Sequence, residues 1–478
     1  MPINIRFGDK LERILRLKLA LLPVRCLVSR MLLQFSFSNF RTFRGLQTLN
    51  LVAGNRDKTL PENCITPSLP GLTGKLLRWN KGVAIYGANA SGKTTVLEAL
   101  EALADMVKLS AKLTDPKEAI AQIDPFALDP AAAAEPTAFV VSFIQDGVRY
   151  EYRVAATRER IYHESLRSFP TAKEEEWFTR DWSEESGEHV FGPDKPDTFK
   201  RDPMLEKRTL PNALHLSKLV SENDKQVEPV FRWFKERLRF LDLSARSRFG
   251  NGFSTQQLAE KTPLKERILD LLRHADIGVT GAAVREEPRD EAELQSFLKL
   301  VPADKQEEFK KAKWFQTVLL HRGPGGVSLP LDWDAESAGT HRLFALAGPW
   351  LDILEKGYIV CIDELETSMH PLMVRELLRL FFSDKENANR AQILFTTHNP
   401  LLLDLTLIRR DQVWFADKDD EGAAHIYPLT DYEPRQGESL VRGYLAGRYG
   451  AVPFVPSGLL SGETDTLPVV EEKETVHE

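Results

Sequence analysis

Gly87-Ala88-Asn89-Ala90-Ser91-Gly92-Lys93-Thr94 decides how the rest of the chain is read. Gly87 and Gly92 let the backbone curl so that successive N–H groups point inward, which makes a cradle for an anion. Lys93 adds a point charge for the outer phosphates of a nucleotide, and the Thr94 hydroxyl is a ligand that Mg²⁺ accepts. Before this loop, Val83-Ala84-Ile85-Tyr86 is an apolar run suited to a strand buried on both faces. After it, Val96, Leu97, Leu100 and Leu103 recur at helical spacing between Thr94 and Val107. Strand, glycine loop and helix are the context in which such a P-loop binds phosphate, because the helix turns its positive end toward the same anion. Gly87, Asn89, Ala90, Ser91, Gly92, Lys93, Thr94 and Thr95 are therefore the candidate nucleotide cradle.

Ile359-Val360-Cys361-Ile362-Asp363-Glu364 sets two carboxylates at the end of a second apolar strand. Asp363 is placed to bind Mg²⁺ beside Thr94, and Glu364, pointing elsewhere, to polarise a water as general base. Phe395-Thr396-Thr397-His398 ends a third apolar strand, and His398 can donate a hydrogen bond to a phosphate or to that water. Glu336-Ser337-Ala338-Gly339-Thr340 precedes an apolar helix from Leu343 to Leu354. Ser337, Gly339 and Thr340 offer a hydroxyl and free N–H groups to an anion, although an ordinary helix cap reads the same way.

The rest of the chain is laid out around these motifs. Leu33, Phe35 and Phe37 alternate with polar residues as a strand, and Gln47 to Val52 follows as another. Ala138 to Ile144, Val148 to Ala155 and Ile161 to Leu166 read as antiparallel strands. Glu206 to Trp314 reads as mostly helical, broken by a glycine-containing loop at Arg248 to Phe253. Gln412 to Ala416 and His425 to Pro428 form a closing hairpin, and strands alternating with helices predict a mainly parallel sheet covered on both faces. The turn Asp417 to Gly422 mimics a calcium loop but has Pro428 where the bidentate Glu belongs.

Composition narrows the function classes. A net charge of −7 over 478 residues argues against coating nucleic acid through overall charge. A local surface remains: Arg232, Lys235, Arg237, Arg239, Arg246 and Arg248 interleave with Phe231, Trp233 and Phe240, a pattern shared by nucleic-acid contacts and by a solvated amphipathic helix. Cys26, Cys64 and Cys361 are odd in number and far apart, as in a cytoplasmic protein with reduced thiols. No apolar run reaches membrane-spanning length. Leu11 to Val28, leucine-rich with Arg13, Arg16, Lys18 and Arg25, reads as a basic amphipathic helix: a membrane-surface or targeting segment or, since it fits no signal pattern, an extension outside the folded domain.

The order P-loop, Ser337-Ala338-Gly339-Thr340, Asp363-Glu364, His398 resembles an ABC-type ATPase head. More closely, the chain resembles the OLD/RloC-like bacterial AAA-type ATPases. Asn39-Phe40-Arg41-Thr42-Phe43, Gly87 to Thr94, Asp363 to Pro371 and Thr397 to Pro400 carry the resemblance, and Gly443 to Gly450 matches the family's end. It implies an α/β fold: a P-loop head with a mainly parallel sheet flanked by helices, an antiparallel β subdomain and an inserted helical subdomain. The expected divisions are 1–30, a basic extension; 31–205, the lobe with the P-loop and β subdomain; 206–314, the helical insertion; 315–455, the lobe with signature, carboxylates and histidine; and 456–478, an acidic tail.

The resemblance also implies ATP and Mg²⁺ as ligands, Lys93, Glu364 and His398 as catalytic residues, and Thr94 and Asp363 as metal ligands. Ser337, Gly339 and Thr340 would complete the site of a second copy, in an ATP-dependent homodimer or higher oligomer. Fewer than about sixty residues follow the hairpin, too few for the TOPRIM nuclease of some members. The chain thus resembles the stand-alone RloA/AbiL-like type, an anti-phage ATPase working with a separate nuclease-like effector. The alternative is a DNA repair or recombination ATPase that binds DNA directly. The family's Mg²⁺-binding glutamine has only Gln226 as a candidate.

Overall fold

The structure, a computed structural model, describes residues 30–453 apart from 55–56, 66–77, 172, 195–197, 242–251, 261, 276–277, 287–293, 296–297, 299–305, 312–314 and 434–437. The extension before Arg30 and the acidic tail lie outside the described residues, as do Arg246 and Arg248.

Two sheets carry the fold. The first is antiparallel and is built from β1 (Arg30–Ser38), β2 (Gln47–Asn50), β6 (Thr137–Gln145), β7 (Val148–Ala156), β8 (Ile161–Phe169), β9 (Glu175–Ser183) and β10 (Glu188–Gly192). Its order is β10-β9-β8-β7-β6-β1-β2. The minor strands β3 (Cys64–Ile65) and β4 (Trp79–Asn80) pair with each other beside it.

The second sheet holds β5 (Gly82–Tyr86), β11 (Leu238–Leu241), β15 (Ile359–Ile362), β16 (Gln392–Thr397), β17 (Val413–Lys418) and β18 (Ala424–Pro428). Its order is β11-β15-β16-β5-β17-β18, parallel except for the β17–β18 hairpin. Side chains on a strand alternate between faces. Val83 and Ile85 accordingly enter a core shared with the antiparallel sheet and the P-loop helix Lys93–Leu109, where Phe35, Phe139, Leu100 and Trp233 meet. Ala84 and Tyr86 enter the opposite core, with Phe344, Trp350, Leu377 and Phe381 from the helices Ala338–Lys356 and Pro371–Phe382. Burial on both faces explains why these strands read as unbroken apolar runs.

The stretch 206–314, expected to be mostly helical, contains strands as well as helices. Helices are present, Leu264–His274 among them, but β11 from this stretch is an edge strand of the parallel sheet, paired with β15. β12 (Val279–Glu286) joins β13 (Phe315–Arg322) and β14 (Ser328–Leu331) in a third, antiparallel sheet. β11 is only four residues long, and its Arg239 lies over the Tyr358 ring, a contact made only after folding. Among the described residues, no helix is long and apolar enough to cross a membrane.

Candidate functional site

The cradle forms where β5 ends. Ala90 and Gly92 both have positive φ, 60° and 100°, which curls the loop over the helix start. A Cβ on Gly87 would run into the Ala416 carbonyl and Ser91 Oγ, so glycine is required by close packing against β17. The turn Asn39 to Phe43 seats itself over the loop: a Cβ on Gly92 would meet Thr42 Oγ1 and Phe43 at 3.0 Å. Asn89 and Ala90 are exposed at the tip, whereas Ser91, Lys93 and Thr95 are buried and Thr94 is open. Lys93 Nζ donates to the carbonyls of Gly87 (3.1 Å) and Ala88 (2.8 Å), folding back over the loop. Burial pushes its ammonium down from the usual range, and the carboxylates of Asp363, Glu364 and Glu366 oppose that.

The carboxylates arrive from the neighbouring strands. Thr94 Oγ1 donates to both oxygens of Asp363, at 3.0 and 2.9 Å. Thr396, near the end of β16, fixes that acid: its hydroxyl donates to Asp363 Oδ1 (2.6 Å) and accepts the Glu364 N–H (2.8 Å). Glu364 sits at φ 46°, a left-handed conformation uncommon outside glycine, so the two adjacent acids leave the strand in different directions. Glu364 Oε2 accepts from Thr367 Oγ1 (3.1 Å), and Oε1 lies 3.8 Å from His398 Nε2. The backbone N–H of His398 is held by Glu366 Oε1 at 2.6 Å.

Of the residues singled out in the sequence, Lys93, Thr94, Asp363, Glu364 and His398 thus meet at the carboxyl ends of three adjacent parallel strands, β15, β16 and β5. Ser337 caps the helix Ala338–Lys356, its Oγ accepting from Thr340 N at 3.1 Å. Gly339 packs close to the Ser368 carbonyl, beyond the carboxylates. Among the described residues, no hydrogen bond joins Ser337, Gly339 or Thr340 to the P-loop of the same chain. Gln226 exchanges hydrogen bonds with the Lys200 backbone, which accounts for it structurally. In the basic run, Arg232 pairs with Asp146 and Trp233 is fully buried against Phe143, so that ring is unavailable to stack on a base.

Sequence reasoning missed Thr396, Glu366 and Arg342. The side chain of buried Arg342 reaches from the capped helix to the Glu364 carbonyl at 3.3 Å. Thr396 was visible as a hydroxyl two residues before His398, and Glu366 as a third acid in Asp363-Glu364-Leu365-Glu366. Nothing in the spacing set them apart.

The donors fit a nucleotide-borne Mg²⁺. Among the described residues there is no group of three or more His, Cys, Asp and Glu able to hold a metal. Thr94 and Asp363 supply oxygen only, and Mg²⁺ usually takes one or two protein oxygens and completes its shell with phosphates and water.

The profile of a family described as "AAA domain, putative AbiEii toxin, Type IV TA system" matches residues 83–404. Among curated proteins, none matches the chain. Solved structures similar to it include the SMC head domain from Thermotoga maritima, at 12% identity and a TM-score of 0.36, covering 83% of this chain and 98% of that one. Another is the SmcHead bound to the C-winged helix domain of ScpA, also at 12% identity and a TM-score of 0.36, covering 83% and 96%. Because the family match takes in well over half of the chain, from the β5 strand past His398, this protein belongs to that AAA-domain family.

Proposed function

We propose that this protein binds and hydrolyses ATP, with two copies closing around the nucleotide. The observation that carries the reading is the Thr94–Asp363 contact, which joins the phosphate loop to the acidic strand end. Lys93 would hold the outer phosphates, and Thr94 with Asp363 would hold Mg²⁺, which neutralises phosphate charge when bound. Glu364 would accept the proton of the attacking water, its carboxylate steadied by Thr367 and its direction set by the left-handed backbone. His398, beside Glu364, would donate a hydrogen bond toward the same region.

Among the described residues no hydrogen bond ties Ser337, Gly339 or Thr340 to their own chain's loop, which is compatible with their use on a second copy. We further propose that closure signals to a separate effector, as in an anti-phage system of the OLD/RloC-like kind. The family description, which names a toxin of a Type IV TA system, supports a role inside a multi-component system.

Turnover by the purified chain tests the chemistry. Lys93→Ala and Glu364→Gln should each lower kcat by about 100-fold or more. Glu364→Gln with ATP should elute as a dimer on sizing with light scattering. Undiminished turnover in either variant would defeat the assignment.

A further inference from the structure

Glu366 is the acid that the proposed chemistry leaves unused. It stands two residues past Glu364, on the loop leaving β15, and its Oε1 accepts the His398 backbone N–H at 2.6 Å. The other oxygen, Oε2, is buried and has no hydrogen-bond partner among the described residues. His398 follows Thr397, and Thr397 pairs across the sheet with Tyr86, the last residue before the P-loop. The Tyr86 hydroxyl is fully buried, also without a partner among the described residues. Burial first, and the Glu366 charge second, hold that phenol protonated. This bond is half-buried, and a short charge-assisted bond is stronger than an ordinary one; it fixes a backbone N–H rather than a mobile side chain.

We propose that Glu366 is a positioning residue: it clamps the backbone of His398 so that the imidazole stays beside Glu364. This rests on the ATPase reading for its catalytic consequence, while the clamp itself is a property of the fold. The competing role is electrostatic, because Glu366 is also one of three carboxylates that act on Lys93. The two roles differ in what glutamine can replace. A glutamine oxygen still accepts the His398 N–H but carries no charge, whereas leucine does neither.

The experiment compares Glu366→Gln and Glu366→Leu in the full chain. With leucine, kcat for ATP should fall about 10- to 100-fold with KM within about 3-fold, the size expected when a group is misplaced by about an ångström. With glutamine, kcat should stay within about 3-fold of the parent. In a His398→Ala background, adding Glu366→Leu should change kcat by less than about 2-fold, because both changes remove the same interaction. Hydrogen exchange, read by mass spectrometry on the peptide containing His398, should accelerate with leucine and not with glutamine.

Equal damage by glutamine and leucine, multiplicative losses with His398→Ala, or unchanged exchange in Glu366→Leu would each overturn the clamp. A parent chain that does not turn over ATP would instead sink the ATPase reading, and the exchange measurement would still decide the clamp. Should Glu366→Leu not fold, the glutamine variant decides alone: retained turnover supports the clamp, and a tenfold loss in kcat at intact KM overturns it.

Discussion

At Thr396 a single hydroxyl spans two roles. It donates to Asp363 and accepts from the Glu364 backbone, so both acids depend on one side chain that is fully buried. Thr396→Val keeps the shape and removes both bonds, of which the one to the Asp363 carboxylate is worth about 1.5–3 kcal/mol. We expect kcat to fall at least about tenfold while the chain remains folded, checked by steady-state turnover alongside a urea titration. The residue was legible only as a threonine near a histidine. What makes it matter is that β15 and β16 are neighbours, with Ile362 paired to Phe395, which brings its hydroxyl against Asp363.

Between elements, the antiparallel sheet is fastened to the segment after it by a buried polar network. Glu164 on β8 accepts from Tyr152 Oη (2.8 Å) and from the N–H groups of His215 and Leu216 (2.6 and 2.9 Å). Arg180 on β9 donates to the carbonyls of Ala213 and Leu210. Burial first, then the Arg180 charge, pushes His215 down to about 3 and His189 to about 4, from an ordinary 6.5. Both histidines are therefore neutral in the folded chain where the unfolded chain would protonate them. As pH falls from about 6.5 toward 4 the unfolded state takes up protons that the folded state refuses, and stability drops by as much as about 1.4 kcal/mol per pH unit for each histidine. Urea midpoints measured between pH 4.5 and 7.5 should show that slope, and it should flatten in His215→Phe, which retains only the His189 contribution. The sequence showed β7 and β8, since their alternation is local, but not β9, which carries Arg180. It did not show the network, whose members are spread from Tyr152 to Leu216.

Across the whole molecule, the two large sheets are tied by Gln392 at the start of β16. Its side chain accepts from Leu32 N (2.7 Å) and donates to the carbonyls of Leu32 and Asn80 (both 3.1 Å), with no exposure to solvent. Gln392→Leu would leave three backbone groups unpaired between the sheets. It should destabilise the protein by about 2–4 kcal/mol, read as a lower urea midpoint, with ATP affinity of the folded fraction unchanged.

The strand-loop-helix around Lys93, the acidic strand end at Asp363 and the strand before His398 were fixed by the sequence alone, because apolar periodicity and glycine placement act over a few residues. Tertiary structure alone decided that β11 would complete the parallel sheet, that Trp233 would be core rather than a stacking surface, and that Glu366 would hold His398. Those outcomes depend on contacts between residues tens to hundreds of positions apart. No local pattern encodes them, since the burial and hydrogen bonds that favour them exist only once the sheets have assembled.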